Sequence, residues 1–338
     1  MSLGFTPAVE IYGANAALLN ERLLNWQHVD AAGIESDQLT LSIDLQGLEG
    51  LPDLGGKIGL RVGYLESGLV DKGEFVITRR TPTLFPLRLT LVATAAPFSA
   101  ADQTGFKQRR SVSHGPTTLG ALFRQLTSRH GFSPRVAPDL ALIKIAHIDQ
   151  SNETDMGFLT RLAYLHDAVA KPFNELYVLA RRGQVKSLSG KILAPVMLSV
   201  TTNNHPGDNA FVSATLDETA RAKYQGCKIS WWDAAAGQER VEESGIAPFK
   251  TLRKRCQGAD EARAAAEGEV RRMVRETLKV NIVCPGNPAL GAEGLVVLDD
   301  TWPDFMRGRW SIDKVTTSGS RKDSYRCTIA ATCLASAS

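Results

Sequence analysis

The stretch HIDQSNETDMGFLTRLAYLHDAVAKP, residues 147 to 172, holds two histidines and four carboxylates, a density at which acid–base or metal chemistry has to be considered. His147 and Asp149 are two residues apart, so on a strand their side chains share one face, as a metal-binding pair would. With Glu153 they make the candidate set for a hydrolytic or metal-dependent enzyme. Two ligands do not make a site, and catalytic carboxylates need a cleft and shifted pKa values. The same residues also read as a helix start. Ser151 or Asn152 caps it, Glu153 and Asp155 complement the positive end of the dipole, and Phe158, Leu159, Leu162, Ala163 and Leu165 form the buried stripe. His166 then lies near the helix C-terminus, where a cation is favoured. The capping reading is the stronger one, and the chain contains no GxSxG, HExxH, GxxxxGK[ST] or GxGxxG. No catalytic residue, cofactor or metal ion is expected.

A second candidate is a surface rather than a reaction centre. TWPDFMRG, residues 301 to 308, carries Trp302, Phe305, Met306 and Arg307, types favoured as interface anchors. Such a loop can equally fold its aromatics back over the end of a barrel. Trp231 and Trp232 pose the same choice, since on a strand one faces in and one out. The basic runs FKQRR (106–110) and KTLRKR (250–255) are short and read as solvated charge. With 39 basic and 36 acidic side chains the surface is mixed, so no specific nucleic acid is expected as a partner. Cys227, Cys256, Cys284, Cys327 and Cys333 form an odd set with no CxxC, which argues against a disulfide framework and a zinc site. The N-terminus MSLGFTPAVEIYG has no basic segment followed by an apolar run, and no run of about 18 apolar residues occurs, so neither export nor membrane spanning is expected.

The elements that must position these residues are mostly strands. DQLTLSIDL and KIGLRVGYL alternate apolar and polar residues, GEFVITRR and LFPLRLTLVAT follow with the same period, and Gly, Pro and Thr supply the turns between them. Short strands at this spacing suggest a closed or nearly closed barrel. From about residue 105 the period changes. TTLGALFRQLTSRHG places Leu119, Leu122, Phe123 and Leu126 at helical spacing, with Thr117 or Thr118 as cap and Gly131 as stop, and a second helix spans about 153 to 167. KIAHI and NELYVLARR are short strand candidates around it, and KSLSGKIL at 186 to 193 reads as the exit from a small α/β unit. Strands resume in VMLSVT, KYQGCKISWW, TLKVNIV, GLVVLDD, GRWSIDKVTT and SYRCTIAATC, interrupted by an Ala-, Glu- and Arg-rich helix at about 259–276. A chain of 338 residues with 43% apolar side chains fills more than one core. The expected division is 1–104, a first barrel; 105–190, an inserted α/β unit; and 191–338, a second barrel. The class is α+β, mainly β.

The end of the chain echoes the end of its first barrel. Setting GEFVITRR against GRWSIDKV aligns Gly73 with Gly308, Phe75 with Trp310 and Ile77 with Ile312. PLRLTLVAT against SYRCTIAAT aligns Arg88 with Arg326, Thr90 with Thr328, Ala93 with Ala331 and Thr94 with Thr332. Upstream, IGLRV from Ile58 corresponds less sharply to GLVVL from Gly294. Self-similarity over this distance points to a duplicated domain rather than to short repeats.

Residues 114 to 172, with a Thr-Leu-Gly helix, RVAP, AHIDQ, an acidic helix start and VAKP, resemble the phage late-control gene D protein family, the baseplate hubs of contractile phage tails. R-type bacteriocins, or tailocins, carry similar hubs. The resemblance implies two related tail-tube-like β-barrel domains with a small α/β domain between them. It also implies a non-enzymatic homotrimer that adapts a threefold spike to the sixfold tail tube. The partners implied are a spike protein, the tail tube or a tube-initiator protein, baseplate wedge proteins and, as a further candidate, a tape measure protein. Assembly would take place in the bacterial cytoplasm, with the product carried in the tail baseplate of a virion or bacteriocin particle. Type VI secretion spike proteins are similar at their hub portion but continue into a β-helical spike. Here the chain stops soon after Cys333, so a separate spike protein and no hydrolase domain are expected. The alternative is a tail-associated peptidoglycan hydrolase or metal-dependent enzyme using His147, Asp149 and Glu153.

Overall fold

A computed structural model describes residues 5–32, 36–48, 50–95, 105, 108–173, 176–181, 194–219, 224–321 and 324–333. The chain begins with β1 (Pro7–Gly13), α1 (Ala16–Arg22), β2 (Leu23–Ala31), β3 (Gln38–Asp44), β4 (Lys57–Tyr64), β5 (Gly68–Thr83) and β6 (Arg88–Thr94). These strands neighbour one another in the order β1-β4-β5-β6-β3-β2, every pair antiparallel. Alternation decides which face is buried. Leu39, Leu41 and Ile43 of β3 and Leu89, Leu91 and Ala93 of β6 are buried on one side of the sheet, each large one contributing about 2 kcal/mol relative to exposure.

Ten further elements follow: β7 (Arg109–His114), β8 (Thr117–Thr118), α2 (Leu119–Arg129), β9 (Ser133–Val136), α3 (Pro138–Ala141), β10 (Lys144–Ile145), β11 (Ile148–Thr154), α4 (Asp155–Leu165), β12 (Ala168–Phe173) and β13 (Leu176–Arg181). They enclose a core of their own, in which Leu119, Leu122, Phe123 and Leu126 of α2 face Phe158, Leu159 and Leu162 of α4. Thr118 caps α2 by accepting from the Ala121 N–H at 3.2 Å, and Gly131 at φ +81° lets the chain leave it. α4 starts later than the carboxylates suggest. Its cap is Thr154, which accepts from Gly157 N–H at 3.0 Å, whereas Ser151 and Asn152 belong to β11, which bulges where Asn152 turns to φ +52°. Glu153 is therefore a strand residue, and Asp155 stands in the first turn of α4. The expected exit at 186–193 lies outside the described residues.

The remaining elements are β14 (Val196–Leu198), β15 (Ser213–Glu218), β16 (Gln225–Asp233), β17 (Gln238–Ile246), β18 (Phe249–Thr251), α5 (Ala259–Thr277), β19 (Leu278–Pro285), β20 (Leu295–Leu298), β21 (Gly308–Ser320) and β22 (Tyr325–Cys333). β16 to β18 form a separate three-stranded sheet under α5 with a small core around Cys227, Ile229 and Ala262, so KYQGCKISWW is not part of the main sheet. Trp231 packs against this core and Trp232 is exposed.

Without that insertion, the last part of the chain repeats the first. Its strands neighbour one another as β14-β20-β21-β22-β19-β15, the same arrangement in the same chain order as β1-β4-β5-β6-β3-β2. The ladders agree to the residue. Ile77 opposes Ala93 and a bulge follows before Arg79; Ile312 opposes Ala331 and a bulge follows before Lys314. Ile77 N–H donates to Gly56 O at 2.9 Å, and Ile312 N–H to Gly294 O at 2.9 Å. The left-handed residue before each of these glycines is Gly55 at φ +85° and Glu293 at φ +68°. The pairing thus matches Gly56 with Gly294, so the equivalent of Ile58 is Val296, two residues beyond the position suggested by the weaker sequence alignment. At one strand the halves differ in direction: β1 runs antiparallel to β4, whereas β14 runs parallel to β20.

The expected closed barrel is not what the ladders make. β2 has its second edge occupied by β21, and this joins both halves into one twelve-stranded sheet that runs as an open path from β1 to β15. Their inner faces share one continuous core, containing Leu41 and Phe75 from the first half and Ile282 and Trp310 from the second. Lys171 on β12 ties the α/β unit to that junction, its Nζ donating to Asp30 (3.2 Å), Asp37 (2.8 Å) and the Ala31 carbonyl (2.8 Å).

Candidate functional site

His147 and Asp149 are brought together as their spacing suggests, and β7 adds a third polar group. Pairing of β11 with β7 sets Asp149 opposite Ser113, so that Ser113 Oγ lies 2.8 Å from Asp149 Oδ1 and 3.2 Å from His147 Nε2. His147 Nε2 is itself 3.1 Å from Asp149 Oδ1. A serine, a histidine and a carboxylate in contact raise the question of nucleophilic catalysis, which needs serine on one imidazole nitrogen and the carboxylate on the other. Here both partners face the same nitrogen. The serine hydroxyl is shared with the carboxylate, and that hydrogen bond, ahead of the neighbouring histidine, holds Asp149 below the usual carboxylate range. The side chains of His147 and Asp149 are 45% and 59% exposed, so water is not excluded. Glu153 turns to Arg161 at 3.0 Å, and Arg161 Nη2 also donates to the Asp149 carbonyl. Among the described residues no group of three or more His, Cys, Asp or Glu side chains is arranged to hold a metal ion.

The buried carboxylate of the segment is Asp155. Its side chain has no exposed surface, and it receives Gln150 Nε2 at 2.8 Å on one oxygen and meets His130 Nε2 at 2.7 Å on the other, with Arg129 at 3.6 Å. Burial pushes this carboxyl up, but the hydrogen bonds from Gln150 and His130 and the charge of Arg110 outweigh it and hold it below its ordinary value. The group joins the end of α2 to the start of α4. Its signal in the sequence is weak, because His130 is 25 residues away and only the fold makes them neighbours.

Of the four candidate anchors in residues 301–308, two face inward. Trp302 is buried and donates Nε1 to the Leu198 carbonyl at 2.7 Å, while Met306 packs on the main core and accepts from Trp310 Nε1 through its carbonyl. Arg307 is occupied by the carbonyls of Trp302 and Asp300 and the carboxylate of Asp304. Phe305 alone of the four turns its apolar surface to solvent, at 67% exposure. A larger apolar projection lies at the β5–β6 turn, where Leu84 is 80% and Phe85 95% exposed. LFPLRLTLVAT is read above as one strand, but its first four residues form this turn and β6 begins at Arg88.

No protein-family model matches the chain. Over 214 residues, 63% of this chain and 52% of the relative, it is 32% identical to the probable baseplate hub protein of Escherichia phage P2. The corresponding protein of Escherichia phage 186 is 31% identical over 213 residues, again 63% of this chain and 52% of the relative. The chain is similar in sequence to these two probable baseplate hub proteins. It spans about half the length of the curated relatives it matches. The crystal structure of the 43 kDa tail protein of prophage MuSo2 from Shewanella oneidensis superimposes with a TM-score of 0.64, covering 96% of this chain and 98% of that one. At 13% identity the likeness is one of fold, and it extends over the α/β unit and both halves of the sheet. The sequence likeness to the hub proteins covers 63% of this chain, and the likeness of fold to the tail protein covers 96% of it.

Proposed function

We propose that this hub relative is a structural, non-catalytic component of the baseplate of a contractile phage tail or R-type bacteriocin, working as a homotrimer that adapts a threefold spike to the sixfold tail tube. The observation that carries the reading is the strand-order repeat, in which six strands in each half of one chain share order and five of the six also share direction and register. Two like units per chain turn three chains into six like faces around an axis, which is what a joint between threefold and sixfold objects needs. In this reading residues 1–104 and 191–338 are the two tube-like barrel units, completed as a ring by neighbouring copies, and residues 105–190 are the α/β unit between them. The partners are a spike protein on one face, the tail tube or its initiator on the other, wedge proteins outside and a tape measure protein within reach. Phe305 and Arg307, with Trp302 and Met306 holding their loop, form one of the contacting surfaces. Assembly takes place in the bacterial cytoplasm and the product resides in the tail.

The test is to label the chain with a small tag on a particle that carries it and locate the tag by electron microscopy of isolated tails. Density for the tag at the junction of spike and tube, three copies per tail, is expected. A position along the sheath or on the fibres would overturn the reading.

A further inference from the structure

β21 divides one long edge between two partners. Residues 308–311 pair with β20, and residues 314–320 pair with β2. Its counterpart β5 is held in the same way over residues 68–76, which pair with β4, but it then runs on through Arg79–Thr83, a segment paired with β6 on one edge and with no strand on the other among the described residues. β15, the counterpart of β2, pairs with β19 and also keeps an edge with no strand against it among the described residues. Each chain is thus left with one β2-like edge and one β21-like edge, and these two edge types are joined at its own centre.

We propose that β15 pairs antiparallel with Arg79–Thr83 of β5, continued by Leu84 of the turn after it, in a second copy of this chain, repeating between chains the β2–β21 joint made within one. This rests on the hub reading only for closure, because a repeated head-to-tail joint ends in a ring where its rotation closes and in an open filament where it does not.

The register follows from the internal joint, which sets Asp30 opposite Val315, His28 opposite Thr317 and Trp26 opposite Gly319. Carrying it across through the ladders to β3 and β19, and to β6 and β22, places Glu218 opposite Arg80, Leu216 opposite Pro82 and Ala214 opposite Leu84 on one face. Thr215 then meets Thr83 on the other. An ion pair, two apolar pairs and a Thr–Thr pair are the combinations that stabilise facing strands. Burial points the same way. Trp26 and His28 are buried under the internal joint, whereas Ala214 and Leu216 at the matching positions are half-buried and Leu84 is exposed. One rung is weaker than its template. Ala32 N–H donates to Asp313 O, which fixes His28 and Thr317 as a pair that exchanges hydrogen bonds. Pro82 has no N–H to give in the place of Thr317, so that rung keeps a single bond, from Leu216 N–H to the Pro82 carbonyl.

Thr83 and Thr215 make a pair without backbone hydrogen bonds, the closer kind, so cysteines there can bridge two chains. The full chain with Thr83→Cys and Thr215→Cys, mildly oxidised, is expected to give covalent dimers and trimers on a non-reducing gel, with neither single variant doing so. Combining Thr83→Cys with Ser213→Cys, two residues off register, is expected to give at least about tenfold less product. Glu218→Arg should weaken association about tenfold by light scattering, and Arg80→Glu added to it should restore association. A chain that associates but does not cross-link at this pair, or cross-links equally well through Ser213→Cys, overturns the proposed joint and leaves the hub reading standing. A chain that neither associates nor cross-links overturns both.

Discussion

Asp155 and the pair His147–Asp149 lie in the same short segment, and their surroundings assign them different work. Asp155 is dry and held by Gln150 and His130, so removing its carboxylate strands buried donors that water cannot reach. Asp155→Ala is expected to cost about 3 kcal/mol in urea unfolding. His147→Ala, at an open site where serine and carboxylate crowd one nitrogen, should leave stability unchanged and should not alter turnover of purified peptidoglycan; a drop in cell-wall cleavage on this change would support a hydrolase instead. Two other histidines report on pH. Burial, partly opposed by Asp30, pushes His28 down to about 4, and burial, followed by Lys254, Arg181 and Arg271, pushes His166 down to about 3. Neither ring nitrogen of His166 has a hydrogen-bond partner among the described residues. A histidine depressed on folding favours the native state above its unfolded value of about 6.5 and loses that contribution as pH falls toward the folded value. Denaturant unfolding at pH 7 and pH 5 should therefore differ by about 2 kcal/mol for each histidine, and His28→Gln should remove its share of the slope.

At the scale of elements, the start of α4 shows how far a pattern of residue types can be read. Ser151, Asn152 and Thr154 are all competent caps, and sequence spacing favours the earlier two because carboxylates follow them at once. The choice is made by β7, whose pairing draws residues 148–154 into a strand and moves the cap to Thr154. Thr154→Ala should cost about 1 kcal/mol in a urea melt and Ser151→Ala close to nothing; equal costs would return the cap to the earlier position. The strand repeat is legible because identities such as Ile77 with Ile312 and Ala93 with Ala331 sit at the bulge that both halves share, where packing and twist leave little freedom. Closure is not legible, since whether β2 returns to β1 or meets β21 depends on contacts between residues almost 300 positions apart. The inward turn of Trp302 is hidden for the same reason, because its partner, the Leu198 carbonyl, is supplied by a distant strand.

For the molecule as a whole, the decisive group is Lys171, where three parts of the chain meet. Its ammonium lies between Asp30 and Asp37 beside the first half of the sheet, and Asp30 in turn accepts the Ala292 N–H of the second half at 2.9 Å. Burial and then the neighbouring Asp30 charge push Asp37 up to about 6, while at Asp30 burial, the largest influence, is outweighed by the Lys171 charge and the Ala292 N–H acting together, which hold that carboxyl low. A carboxyl raised on folding contributes stability that is complete below its unfolded value near 4 and is lost as pH rises through about 6, opposite in sign to the two histidines. Asp37→Asn is therefore expected to be neutral or stabilising at pH 7 and to steepen the loss of stability in acid, since it removes a group whose titration opposes that of the histidines. Lys171→Met is the contrary case. It leaves two carboxylates facing each other in a buried junction, at a cost of about 3–5 kcal/mol, and hydrogen exchange should rise in β2 and β12 together because one ammonium holds both. Faster exchange confined to β12 would mean that the α/β unit hangs from the sheet by other contacts and that the junction is not the place where the three parts are locked.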